Sequence, residues 1–291
     1  MDSRARALWL RTEPLHAVTY FDEHCRGLGR ALGLSGFWMG YFAARTAPLG
    51  PVPAPVAGAA LAVFAPDMVA RALPAAWSVP GVTPERVVDE RAVRAAAALR
   101  AVAPGIAATA PQLLGPLAAM VADAPAIARP LFAANQALPE RADPVEQLWQ
   151  LTTSLREFRG DAHAAALADH DLDGCAALVL AAATDRVPKD GIRLDRGWSE
   201  EEWAVAVDAL RSRRLLDTDG HVTDLGRTER AHVEDTTDRL AGRLLRPLTD
   251  RAADQLLAAL KEPAGRVTEA NVLPFPNPIG LPRPRVVEPA R

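Results

Sequence analysis

Cysteine is scarce: Cys25 and Cys175 are the only two in 291 residues and form no CxxC pair, which leaves no basis for a disulfide framework or a thiolate zinc site. Each reads as a small buried hydrophobe. Aromatic residues make up only 5% of the chain and β-branched runs are short, so a sheet-dominated fold is not expected. No apolar stretch approaches the roughly 20 residues of a membrane span, because Pro, Arg and Asp interrupt every Ala-rich run. The start, Met1-Asp2-Ser3-Arg4, has no apolar segment behind it and does not resemble a signal peptide, so the expected address is the cytoplasm. A basic excess is also missing: Lys plus Arg number 33 against 36 acids, for a net charge of −3. That excludes a globally basic nucleic-acid binder and leaves only a local face for phosphate. There is no Gly-rich phosphate loop, HExxH or Gly-x-Ser-x-Gly, and Gly27-Leu28-Gly29 with Gly33 has no strand before it. No cofactor and no metal site is therefore named.

What is present is helix former: Ala, Leu and Arg dominate, and the chain reads as mainly α. A short helix is expected after Ser3, and a second from Leu15 through His24 to Leu32, stopped by Gly33. The aromatic segment Gly36-Phe37-Trp38-Met39-Gly40-Tyr41-Phe42 continues helically to Arg45, before the prolines at 48, 51, 53 and 55 end it. Thr83-Pro84-Glu85 and Asp143-Pro144-Val145-Glu146 are strong helix starts, each with a capping side chain, a proline at the first helical position and an acid in the first turn. Weaker helices between them are expected to break at Pro104, Pro111, Pro125 and Pro139. Residues 1–170 thus form a helical bundle, 246–262 a terminal helix, and 263–291, rich in proline and without period, a disordered or surface-draped tail.

The segment 171–245 has a different grammar. Ser199-Glu200-Glu201-Glu202 is a capping box, and Trp203, Ala206, Val207 and Leu210 recur behind it at helical spacing. Asp219-Gly220 is a tight-turn signal, Val222 suits a short strand, and Thr223 caps a further helix to Leu240. Val222-Thr223-Asp224-Leu225-Gly226 resembles the Leu-Thr-x-x-Gly element that follows the β-wing of MarR-type winged-helix domains, and Leu172-Asp173-Gly174-Cys175-Ala176-Ala177-Leu178-Val179-Leu180 looks like the first helix of such a domain. The whole chain also resembles a family of actinobacterial proteins that carry a helix-turn-helix region; no activity comes with that resemblance. It implies a winged helix-turn-helix unit, but a degenerate one. The wing is cut to Asp217-Thr218-Asp219-Gly220-His221 and is acidic, the recognition helix opens on three glutamates, and little sequence remains for the second helix. Three carboxylates where DNA readers place base and phosphate contacts repel a duplex. Arg211, Arg213 and Arg214 are the candidate backbone contacts, although cations also favour a helix C-terminus.

The polar run Leu155-Arg156-Glu157-Phe158-Arg159-Gly160-Asp161-Ala162-His163 is unexpected inside a bundle helix. Arg156, Gly160 and His163 share a face, Glu157 and Asp161 the next one. Gly160 costs about 1 kcal/mol against Ala, which suggests close approach of a ligand or helix. The candidate catalytic or acid–base residues are His163, Asp161 and Glu157. The candidate ligand-binding residues are His24, Trp38, Tyr41, Phe42, Arg45, Arg156, Arg159 and His163, with Phe37 beside the other aromatics. Three functions fit: a regulator-like protein whose helical domain binds a small apolar or anionic molecule, an enzyme or biosynthetic accessory protein centred on Arg156, Asp161 and His163, or a dimeric interaction module. The expected partners are a small-molecule ligand, DNA on weaker grounds, and a second copy in a homodimer, with no membrane.

Overall fold

Proline ends fewer helices than its spacing suggests. The computed structural model describes residues 3–283, and α1 (Ser3–Phe21) runs through Pro14 where a break is expected. Pro14 removes one backbone bond; the helix persists because Leu8, Leu15 and Val18 bury its inner face in the main core. Two short turns follow, α2 (Glu23–Arg26), capped by Asp22, and α3 (Leu28–Ala31), in place of one helix reaching Leu32. The aromatic segment forms α4 (Gly36–Thr46), and α5 (Ala54–Ala60) and α6 (Pro66–Trp77) follow the proline stop. Thr83 caps α7 (Pro84–Val102) by accepting from the Arg86 amide. Then α8 (Ile106–Asp123) passes through both Pro111 and Pro116, again held by burial of Ile106, Leu113, Leu117 and Met120. A short α9 (Pro130–Gln136) leads to α10 (Pro144–Asp169), opened by Asp143, whose carboxylate accepts from the amides of Val145 and Glu146.

The remaining helices are α11 (Gly174–Ala183), α12 (Ile192–Asp195), α13 (Glu200–Ser212), α14 (Asp224–Ala241) and α15 (Asp250–Glu269). The fold is mainly α, and among the described residues the isolated β pairing is the antiparallel bridge Leu216–Val222. This is the winged unit: α11, a second helix reduced to α12, α13 with its complete capping box at Ser199, a minimal wing, and α14 capped by Thr223. Its core joins Ala166 and Leu167 at the end of α10 to Leu172, Leu180, Leu210, Leu215 and Val233.

The central axis is α10. It packs against α1, α7, α8 and α9 on the bundle side and against α14 of the winged unit. Being surrounded, it buries residues around its circumference, including Trp149 and Phe158 but also Gln147, Thr152, Thr153 and Ser154, and so shows no apolar stripe in sequence. The C-terminal helix continues through Pro263 to Glu269, beyond the end expected at 262. Residues 270–283 then lie against the bundle, with Leu273 and Leu281 in its core. Asn277 is fully buried there and bonds reciprocally with Leu281. Single apolar anchors between prolines carry no period, which hides this packing from sequence. The expected tail beyond 283 lies outside the described residues.

Gly226 explains the element that the sequence resemblance rests on. A Cβ at this position would lie 2.2 Å from the Leu215 carbonyl oxygen, so the first turn of α14 can approach the backbone before the wing only without a side chain. Gly226→Ala is expected to lower the unfolding free energy by about 1–3 kcal/mol, the usual cost of forced overpacking. Urea denaturation checks this; an unchanged midpoint would show that α14 need not approach so closely.

Candidate ligand site

Three helices, α1, α10 and α14, meet along the polar face of α10. A cavity of about 190 Å³ opens there, bordered from the bundle side by Trp9, Glu13, Tyr41, Arg45, Arg156 and His163 and from the winged unit by Leu178, Ala181, Val233, Glu234 and Thr237. Gly160 belongs to this wall, and the reason for the glycine is local: a Cβ would sit 3.1 Å from Nη1 of Arg156. Its absence lets the guanidinium fold back across the helix onto Glu157.

Glu157 is 2% exposed and receives two arginines. Arg45 of α4 donates from Nη2 to Oε2 at 2.9 Å and from Nε to Oε1 at 3.3 Å, while Arg156 donates from Nη1 to Oε2 at 2.6 Å. Burial alone would raise the Glu157 carboxyl, but Arg156 and Arg45 outweigh it and hold the pKa at about 2. Beside this triad, burial pushes the Glu13 carboxyl upward despite Arg156 and Arg159 nearby.

On the far side, two carboxylates four residues apart on α14 clamp arginines from the bundle. Asp238, 1% exposed, accepts from Arg6 Nε at 2.8 Å and from Arg159 Nη1 at 2.6 Å. Glu234 accepts from Arg6 at 2.8 Å, Arg159 at 3.2 Å and Arg230 at 2.7 Å. The guanidiniums of Arg6 and Arg159 also lie 5.2 and 4.7 Å from the Trp9 ring centroid. His163 joins the same seam, its Nδ1 3.1 Å from Thr237 Oγ1. The Thr237 proton is donated to the Val233 carbonyl at 2.7 Å, so Nδ1 carries the hydrogen and Nε2 is left as an acceptor. Burial pulls the imidazole down to about 4, which keeps it neutral at neutral pH.

The family model of a helix-turn-helix family matches residues 5–274. The chain belongs to this helix-turn-helix family. No curated protein and no solved structure matches it. The match spans bundle and winged unit together, so the helix-turn-helix family member includes the cavity between them. Among its described residues no helix is long and apolar enough to cross a membrane.

The structure separates the residues singled out from sequence. Tyr41, Arg45, Arg156, Arg159 and His163 border the cavity. Trp38 and Phe42 turn away from it into a separate core with Leu61, Phe64 and Leu73, while Phe37 lies under the Arg26 guanidinium. His24 is exposed on α2, where its carbonyl accepts from Arg94. Asp161 points to α9, accepting from the Phe132 amide at 2.9 Å, and burial raises its pKa to about 6; it caps a helix and does not border the cavity. Sequence reading passed over Trp9, Glu13, His16, Arg186, Arg196, Arg230, Glu234 and Asp238. His16 is buried, with Nδ1 at 2.9 Å from Thr153 Oγ1 and Nε2 at 2.9 Å from the Tyr20 hydroxyl. Thr153 gives its own proton to the Trp149 carbonyl, so the Tyr20 hydroxyl donates to Nε2. The spacing of Trp9, Glu13, His16 and Tyr20 is a signal that was available once α1 is one helix.

On the winged surface, Arg211 holds the wing through the carbonyls of Asp217 and Thr218 and pairs with Asp208. Arg213 donates to the carbonyls of Asp171 and His170 and to Glu229. Arg214 is exposed where α13 ends at a φ of 59°. Glu201 and Asp208 stand on the exposed face of α13. Asp217, Asp219 and His221 gather on the wing, but Asp217 already accepts the amides of the other two within the turn.

Proposed function

We propose that this protein is regulator-like, with a small molecule taken into the cavity and the winged unit responding to its presence. The observation that supports this reading is the shared wall: an occupant would touch the Arg156–His163 face of α10 and the Val233–Thr237 face of α14 at once. A ligand shifts an arrangement only by its differential affinity for it, and one that bridges two units has such a preference built in. The output would not run through insertion of α13 into a major groove, since Arg211 and Arg213 are engaged within the unit and carboxylates occupy the face that would meet phosphate. Asp161 accepts the Phe132 amide and does not border the cavity, which favours the ligand-binding reading over an enzyme that pairs it with His163.

Ligand-observed NMR with a fragment library tests the proposal on the full chain. Ala181, in α11 against the cavity, is replaced by tryptophan to fill the space. Fragments bound by the parent protein are expected to be lost with Ala181→Trp and to slow amide exchange in α14. An identical set of hits on both proteins, or none on either, would reject it; a thermal melt verifies that the variant is folded.

A further inference from the structure

Most arginines around the cavity have an acid to themselves or share one. Arg45 and Arg156 share Glu157; Arg6, Arg159 and Arg230 share Glu234 and Asp238. Two cavity arginines do not. Arg186 makes no hydrogen bond and no ion pair from its side chain among the described residues, and its Nε is buried without a partner. Arg196 is 5% exposed, donates once, from Nη2 to the Pro278 carbonyl at 2.6 Å, and leaves its Nε unpartnered as well. Its guanidinium lies 4.6 Å from the Phe64 ring centroid. A buried charge without a paired counter-ion is expensive: Arg196 is such a group, while Arg186 is half-buried and has Glu234 near it but not paired with it.

The surroundings restrict what could supply the missing negative charge. Pro278, Ile279 and Gly280, from the C-terminal segment, border the cavity together with both arginines. The same lining offers apolar surface from Val63, Phe64, Leu178 and Val187. At 190 Å³ the space is smaller than the ~300–1,000 Å³ usual for drug-sized ligands. A bare oxyanion would leave the apolar wall unfilled, and a nucleotide would not fit.

We propose that Arg186 and Arg196 form the anion subsite for a small carboxylic acid whose hydrocarbon or aromatic body lies against Phe64, Leu178, Val187 and Ile279. The inference rests on the ligand-binding reading above and specifies its chemistry. A guanidinium presents donors in a planar fork that matches a carboxylate, and Nη1 of Arg196 is uncommitted while the whole Arg186 fork is. The C-terminal segment closes the subsite by fixing Arg196 through Pro278.

Isothermal titration of the full chain with benzoate, hexanoate and 4-methylpentanoate, with the primary amide of each, and with inorganic phosphate provides the test. At least one carboxylate is expected to bind roughly ten- to hundredfold more tightly than its amide and than phosphate, the range of a charge-assisted hydrogen bond. Arg186→Gln should remove that advantage without disturbing the fold, because no protein partner is lost; Arg196→Gln should do the same, at some cost to the packing on Phe64. Equal binding of acid and amide, or a carboxylate affinity unchanged in Arg186→Gln, overturns the anion subsite. Phosphate binding as tightly as any carboxylate overturns the apolar body. Absence of binding by all three carboxylates also overturns the proposal, and the Ala181→Trp fragment comparison then decides separately whether the cavity reading falls with it.

Discussion

Glu157→Ala should lower the unfolding free energy by about 3–5 kcal/mol, the cost of leaving buried charges unpaired. Both Arg45, 7% exposed, and Arg156 lose their counter-ion together, and α4 loses its polar tie to α10. Removing Arg45 as well should return part of the loss, since the pair as a whole contributes less than either broken half costs. The pH dependence has a definite sign. The folded pKa of Glu157, about 2, lies below the ordinary 4.5, so its stabilisation is fully present above pH 4.5 and is lost as pH falls towards 2. His163, pulled by burial to about 4 from 6.5, also makes the protein less stable as pH falls, but from 6.5 downward. Asp161, raised by burial to about 6, acts in the opposite direction between 3.8 and 6. Denaturation of the parent and of Glu157→Gln across pH 2 to 7 separates them: the difference should be flat above 4.5 and shrink below it. A difference independent of pH would mean that Glu157 is not ionised in its pocket.

Local grammar was legible and long-range pairing was not. Ser199 with Glu202, Thr223 with Gly226 and Asp143 with Val145 are contacts within one turn, so their residue types alone position the helix starts. The spacing of Arg156, Gly160 and His163 likewise puts them on one face, and the cavity lies along it. Nothing local announces that Arg6 will meet Glu234 and Asp238, or that Arg196 will reach Pro278. In a chain where nearly every cation is arginine, a single arginine carries little information about its partner. Proline misled for a related reason. Pro14, Pro111 and Pro263 each remove one helical bond, but the burial on both sides of them is a tertiary quantity, and it overrides the local loss. Reading α1 as broken at Pro14 split Trp9 and Glu13 from His16 and Tyr20 and concealed the stripe they form. Aromatic density misdirected the expectation for Trp38 and Phe42, which pack with Phe64 in a neighbouring core; only Tyr41 of that helix turns to the cavity along with Arg45.

Asp238→Ala should act on the coupling between the two units more than on either alone. The side chain is 1% exposed and takes a guanidinium from α1 and another from α10, so its removal deprives both of a buried counter-ion. Glu234 still holds one bond from each, which places the expected loss near 3 kcal/mol, at the low end for a broken buried pair. The loss should not be uniform. Bundle helices such as α8 are anchored by Leu113, Leu117 and Met120 in the main core and have no stake in Asp238, whereas α14 is joined to α10 by Asp238, Glu234 and the Thr237–His163 contact. Native-state hydrogen exchange should therefore find α14 opening at lower free energy than α8 in the variant, a sub-global unit detached from the rest. Equal loss of protection in α8 and α14 would mean that the winged unit and bundle unfold only as one body, and a cavity occupant could then stabilise the chain but could not move α14 relative to α10. A selective loss in α14 identifies the Arg6–Arg159–Asp238 seam as the element whose closure an occupant beside His163 and Thr237 would favour.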